Sequence, residues 1–320
     1  MNKSVCKIVT LIGGIGLIAT AVPATYAQST SATMYRLQLQ EIFTQTDQYT
    51  TVYGYAPESY QQWAFVGQID TNSQSLSIAP YITNSSGTTV LEFPANPNWP
   101  VWGPTGKSTR YQEAVGSSSL GSLSVGTDPF TFWLGASAEP QLSLAINSAD
   151  LPPAPMVTSG GTWSGNVLQI DADTGATLSL NSSAFSNYSN TALPGGIVGI
   201  DLFYGTTSPT PYPTRVAASV DSVYVPKLGY TDPILSTYTI NPGELTAGQS
   251  YILQVNFQTV DDINQTPFSG TGISGSPLGY SFYNSSTFIT IDAVPLPACG
   301  WLMLSGLVGF GTMIRKHRTI

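Results

Sequence analysis

The chain has 320 residues, only 9% of them charged, and a formal net charge of −8. Its two cysteines, Cys6 and Cys299, and its one histidine, His317, all lie near the ends. The long middle therefore cannot build a Ser-His-Asp triad, a cysteine nucleophile, a disulfide, or a zinc, copper or haem site that needs His or Cys.

The N-terminus reads as a secretory signal. Lys3 and Lys7 form the positive start, Ile8 to Val22 the apolar stretch, and Ala24-Thr25-Tyr26-Ala27 the small residues of a cleavage site. Signal peptidase is expected to cut between Ala27 and Gln28, an uncleaved anchor being the alternative. Cys6 precedes the apolar stretch, so it is not a lipoprotein cysteine. The body, residues 28–293, holds all 18 acidic residues and five basic ones, a charge of −13. Nucleic acid and anionic membrane surfaces repel such a body, which leaves cations, neutral glycans and basic partners.

The body reads as strands nearly throughout. Tyr35, Leu37 and Leu39 alternate with Arg36, Gln38 and Gln40; the same period recurs at Leu142, Leu144 and Ile146, and at Ala176, Leu178 and Leu180. It is longest at Tyr251, Leu253, Val255 and Phe257, between Ile252, Gln254, Asn256 and Gln258. Period-two alternation predicts one face on a core and one in water. Frequent Gly and Pro, 31 and 23 in the chain, argue against long helices. The expected fold is all-β: two β-sandwich-like domains, 28–150 and 151–293, joined by the stiff stretch Asp150-Leu-Pro-Pro-Ala-Pro155. Pro94 to Gly106 and Thr206 to Thr214 read as long loops. Gly67-Gln-Ile-Asp70 and Leu168-Gln-Ile-Asp171 echo one another, too briefly for a duplication.

Candidate sites are few. Trp99 and Trp102 stand in the proline-rich stretch Asn98-Trp-Pro-Val-Trp-Gly103, with Lys107, Arg110 and Glu113 nearby. Exposed, they would stack on sugar rings and make polysaccharide a partner; folded back, they would plug the first domain's core. Trp63, Trp133 and Trp163 read as core. Asp171-Ala-Asp173-Thr-Gly175 opens like a calcium loop but lacks its third and distal ligands, so a hairpin turn with solvated aspartates is preferred. Asp261-Asp262 reads as a second acidic turn. Leu245-Thr-Ala-Gly248-Gln-Ser-Tyr251 fits the tyrosine corner of Greek-key sandwiches, which gives the second domain an immunoglobulin-like or fibronectin-type-III-like expectation. Asn84, Asn181, Asn187, Asn264 and Asn284 fit N-x-Ser/Thr. No cofactor is implied. A carboxylate-only glycoside hydrolase needs two acidic groups that no local motif singles out.

The end of the chain is the most ordered signal. Val294-Pro295-Leu296-Pro297-Ala298 leads into an apolar run, 298–314, and the basic residues Arg315, Lys316 and Arg318 close it. The run is about the minimum helical length for a membrane span, ~17 residues, and the basic end predicts a cytoplasmic tail that stops transfer. An ordinary C-terminal membrane anchor, or a buried apolar helix of a soluble domain, is the alternative reading of this run. With Trp301-Leu302, Ser305-Gly306-Leu307 and Gly309, the tail resembles the VPLPA-CTERM variant of the PEP-CTERM sorting signals of Gram-negative bacteria. The resemblance covers residues 294–320 and implies recognition by an exosortase, with the tail removed and the body released to the cell surface or exopolysaccharide matrix. The expected function is structural or adhesive, not enzymatic.

Overall fold

The computed structural model describes residues 32–53, 63–71, 79–93, 99–103, 106–116, 126–133, 141–146, 151–205, 215–265, 268–270, 273–275 and 278–295. The signal segment, residues 206–214 and the tail from Leu296 onward lie outside them. The described residues form 21 strands and no α-helix. In the first part these are β1 (Ala32–Gln45), β2 (Thr51–Tyr53), β3 (Trp63–Thr71), β4 (Tyr81–Thr83), β5 (Thr89–Glu92), β6 (Trp99–Gly103), β7 (Gly106–Gly116), β8 (Gly126–Trp133) and β9 (Gln141–Ile146). Then follow β10 (Val157–Ser159), β11 (Thr162–Ser164), β12 (Val167–Asp171), β13 (Ala176–Leu180), β14 (Gly195–Tyr204), β15 (Val220–Val225) and β16 (Tyr230–Thr231). The last are β17 (Thr237–Ile240), β18 (Ser250–Asn264), β19 (Phe268–Gly270), β20 (Ile273–Gly275) and β21 (Leu278–Val294).

Each alternating segment of the sequence is a strand: β1, β9, β13 and β18. The strands assemble around one 12-stranded sheet of order β16-β15-β14-β18-β21-β1-β3-β7-β6, with β2 on β1 and the β11–β12 pair on the far end of β21. β21 is its spine. It pairs antiparallel with β18 along nearly its whole length. Its other edge takes β1 in parallel, from Met34↔Leu278 to Thr44↔Phe288, and then β12, from Leu168↔Ile291 to Asp171↔Val294.

Two small sheets cover one face of the large one. The sheet β10-β13-β17 packs Val157, Leu178, Leu180 and Ile240 against Val198, Leu253, Val255 and Ile289. The sheet β5-β4-β8-β9 lies over β1 and β3, where Tyr35 meets Phe132 edge-on with ring centroids 5.5 Å apart. At Gly67 the approach is so close that a Cβ would meet side-chain atoms of Leu91, Ile82 and Phe93 at 2.6 to 2.9 Å. Glycine there lets the layers touch. Trp133 is half-buried, stacked on Tyr81 and bonded through Nε1 to Thr83 Oγ1 at 2.9 Å. Trp163 packs partly buried against the core under β13.

The two expected domains thus contribute strands to one sheet, and the proline stretch between them is not a free spacer. Its described residues, 151–155, belong to no strand. Yet Pro152 and Pro155 are buried, and Pro152 O accepts from Ser285 Oγ at 2.8 Å. Gln45 clamps the end of the stretch, with Nε2 donating to Val157 O at 2.7 Å and Oε1 accepting from Val157 N–H at 2.8 Å. The small sheet of the first part is fastened the same way. Ala145 N–H donates to Asp262 Oδ2 at 3.1 Å, and Asn264 Nδ2 to Ser143 O at 2.9 Å.

Two loop expectations change. Trp99–Gly103 is a strand, β6, which among the described residues pairs only with β7, at the edge of the large sheet. A proline is tolerated there because an edge strand has one side without a ladder to feed. Asp261-Asp262 is not a turn but part of β18, where the register shifts between Val260 and Asp262. A bulge of this kind re-aims a side chain.

Candidate functional site

The corner motif closes the connection from β17 to β18. Tyr251 and Leu245 are buried, and the Thr246 N–H donates to the Tyr251 hydroxyl at 2.7 Å, five residues upstream. Gly248 takes a left-handed φ of 80°. Its N–H donates to Ala293 O at 2.7 Å, and Ala293 N–H donates to Gln249 O at 2.9 Å. The corner is therefore stitched to the last turn of chain before the proline-rich motif.

The other flank of that strand end is held by the aspartate turn. Asp171 Oδ1 accepts from the N–H groups of Asp173 and Thr174 at 2.8 and 3.2 Å, and Gly175 N–H closes on Asp171 O at 2.9 Å. Gly175 has φ +66°, and a Cβ would stand 2.1 Å from Ile240 O. The D-x-D-x-G spacing thus serves a turn. It is not a hairpin, since β12 belongs to the large sheet and β13 to a small one. Asp173 is exposed, and among the described residues no three acidic, His or Cys side chains are grouped to hold a metal.

Of the expected sorting motif, Val294 ends β21 and Pro295 is exposed; Leu296, Pro297 and Ala298 lie outside the described residues, as do Ala27, Gln28, Arg315, Lys316 and Arg318. No helix among the described residues is long and apolar enough to cross a membrane, and the expected span 298–314 falls outside them. Trp99 and Trp102 hold register with Arg110 and Lys107 on β7. Among the N-x-Ser/Thr asparagines, Asn181, Asn264 and Asn284 donate their amides to Ala154 O, Ser143 O and Ser286 Oγ. Asn84 sits at the tip of the β4–β5 turn, accepting from Thr88 N–H at 2.9 Å.

The structure also assembles polar groups that the sequence did not single out. The face of the large sheet away from the small sheets was expected in water, but at its centre it is buried: Gln38 is 5% exposed and Asn256 1%. Its amides and hydroxyls bond along the strands and, between β21 and β18, across them. Gln254 Nε2 donates to Asn256 Oδ1 at 3.0 Å, Ser286 Oγ donates to the same oxygen at 2.6 Å, and Asn284 Nδ2 donates to Ser286 Oγ at 2.9 Å. On β1, Arg36 donates to Gln38 and Gln38 to Gln40, each at 2.9 Å.

Further along this face lies an acid pair. Asp201 on β14 is 1% exposed and takes Arg215 Nη2 on Oδ1 at 2.9 Å, together with Ser219 Oγ. Asp221 on β15 faces Gly199, one diagonal step away. Burial, then the charge of Asp201, pushes Asp221 up to about 7 against the pull of Arg215. Burial also raises Asp201. Asp201 Oδ2 and Asp221 Oδ1 are buried without a hydrogen-bond partner. One guanidinium for two carboxyl groups suits a pair that keeps a proton, not two free charges. Two carboxyl groups of separated acidity are what glycoside hydrolysis uses, but a sugar does not reach a group as covered as Asp201. The one sequence signal was an aspartate inside the apolar run Gly196 to Phe203. On the opposite face, in the seam between the small sheets, burial pushes Glu41 up to about 7 while a hydrogen bond with Ser285 opposes the shift.

No family model and no curated protein matches the chain. Among solved structures it is similar to the crystal structure of the chicken CNTN1 FN1–FN3 domains, at 10% identity, over 84% of this chain and 67% of that one. The TM-score is 0.19, which carries no argument about fold or function.

Two measurements test these arrangements. Tyr251→Phe keeps the ring and removes the bond from Thr246, so it should cost about 1 kcal/mol and lower the melting temperature; an unchanged melting temperature would show that the hydroxyl does not hold the corner. Glu41 and Asp221 are raised in the fold, so their protonated forms stabilise it below the ordinary carboxylate range, and that stability is lost as pH rises through about 7. Denaturation at pH 5 and pH 8 should show the weaker fold at pH 8, with Glu41→Gln and Asp221→Asn each narrowing the gap. Equal wild-type stability at the two pH values would refute the assignment.

Proposed function

We propose that the chain is the precursor of a non-enzymatic protein of the bacterial cell surface or extracellular matrix, exported by its N-terminal signal and sorted through its C-terminal tail by an exosortase. The observation that carries this is the order of parts in residues 294–320: a Val-Pro-Leu-Pro-Ala motif, an uncharged apolar run and a basic end. The body suits the role. It carries −13 on 28–293, has no His or Cys there, and offers only uncharged and acidic polar groups over much of its sequence. We also read the part from 151 to 293, with its corner at Tyr251, as immunoglobulin-like or fibronectin-type-III-like. Before processing, the protein meets the membrane through residues 298–314.

A second reading is a polysaccharide-binding surface protein. What favours it is the position of Trp99 and Trp102 on an edge strand, in register with two of the body's five basic residues. Indole rings suit the C–H faces of sugar rings, and a neutral glycan meets no repulsion from the acidic body.

The two readings are tested separately. Intact mass and fractionation of the protein from its own host should show the loss of Trp301 to Ile320 and a body in the matrix or medium; a full-length mass in the membrane fraction would make it a permanently anchored domain. Retention on the host's own exopolysaccharide, lost in Trp99→Ala or Trp102→Ala, would establish the second reading. Retention unchanged in both variants would remove those residues from it.

A further inference from the structure

Five asparagines of the body carry the N-x-Ser/Thr pattern that admits a glycan on the amide nitrogen, and the fold treats them unequally. Asn181, Asn264 and Asn284 have their Nδ2 donors bonded to Ala154 O, Ser143 O and Ser286 Oγ. Asn181 also takes the Met156 N–H on Oδ1 at 2.7 Å, which pins the chain entering β10. Asn284, Ser285 and Ser286 are all buried within β21. Asn187 has a different obstacle. The middle residue of its triplet, Tyr188, is buried against Phe185 and bonds through its hydroxyl to Ser222 Oγ and Asp232 O. A transferase takes the whole triplet into its own groove, so these four sites would first have to open the fold.

Asn84 escapes each of these obstacles. Its triplet, Asn84-Ser85-Ser86, leads through the turn between β4 and β5, and residues 85–89 are exposed. Gly87 has φ +78°, and a Cβ on it would meet nothing within 4 Å, so the tip faces open space. Asn84 Oδ1 accepts from Ser86 Oγ at 2.7 Å and from Thr88 N–H at 2.9 Å. These two donors fix which end of the planar amide is oxygen and hold that end inside the turn. Nδ2 stands at the other end, and among the described residues it has no partner. The hydroxyl two residues on, which defines the pattern, thus already touches the amide that would react.

We propose that Asn84 is a glycan acceptor of this protein, taking a sugar on Nδ2 from a glycosyl diphosphate donor. The bond from Nδ2 to the anomeric carbon forms, and the bond from that carbon to the phosphate oxygen breaks. The diphosphate leaves with the electron pair, and the amide gives up one proton. Oδ1 is not consumed, so the bonds from Ser86 and Thr88 survive and the turn keeps its form. The proposal stands apart from the sorting reading, since no step of it involves residues after 294.

The protein purified from its own host and digested with a non-specific protease gives the test. Peptides holding Asn84 should carry the added mass of one or more sugars, and those holding Asn181, Asn187, Asn264 and Asn284 should have their sequence masses. Asn84→Gln should abolish the added mass. Ser86→Ala should also lose it, although Asn84 and its bond from Thr88 stay in place. If either variant fails to accumulate, the wild-type map decides alone. Asn84 peptides at their sequence mass would overturn the proposal. So would an added mass that persists in Asn84→Gln, which would put the sugar on a hydroxyl of Ser85, Ser86 or Thr88. Sugar on Asn187 in place of Asn84 would overturn it as well, because a buried middle residue would then be no barrier.

Discussion

The parallel pairing of β1 with β21 holds the rest of the structure together. It joins a strand at the start of the body to the strand at its end, so every other part of the large sheet hangs on a contact between distant segments. Closing so long a loop has a large entropic cost before any bond forms, and it is met here by many bonds closed at once. β21 is flanked on both edges along its length, so among the described residues the central place in the sheet is filled by the strand latest in sequence. Because the pair is parallel, the beginning of β1 lies beside the beginning of β21. The tail leaves the sheet at the opposite end, about 50 Å of strand away at ~3.3 Å per residue.

That end of the sheet is also where the smaller devices converge. The corner at Tyr251, the aspartate turn at Asp171 and the end of β12 all bond to residues 292–294 or to their immediate neighbours. Each is unremarkable alone: a bonded phenol, an Asx turn, a short parallel ladder. Together they place the last sheet residue directly before the exposed proline of the motif.

With few charges and no disulfide within the body, stability must come from packing and from satisfied polar groups. The apolar face takes two small sheets and two patches of core. The seam between them is polar, and it is there that Ser285, Gln45 and the proline stretch exchange bonds. The opposite face carries amide and hydroxyl ladders whose members bond mainly to one another. Buried polar networks of this kind favour one register when satisfied and are costly when not. The Asp201–Asp221–Arg215 group is the extreme instance: burial raises both carboxyl groups, and one guanidinium opposes the shift.

The sequence by itself determined the strands, the absence of His and Cys chemistry in the body, the residues of the corner and the layout of the tail. Each is written in local terms: a period of two at Tyr251 to Phe257, a missing residue type, an L-x-x-G-x-x-Y spacing, a motif followed by an apolar run. What only the tertiary structure decided is which strands meet. Alternation in Tyr35 to Gln40 gives two faces but names no neighbour, so the sheet shared across residue 150 was not legible. The proline stretch looked like a spacer because proline's stiffness is local and burial is not. Gln38, Asn256 and Asp201 were read as water-facing or passed over, because burial depends on what packs above a strand. Trp99 and Pro100 read as a loop, because proline's exclusion from strands is relaxed only at a sheet edge, and an edge exists only once the sheet is assembled.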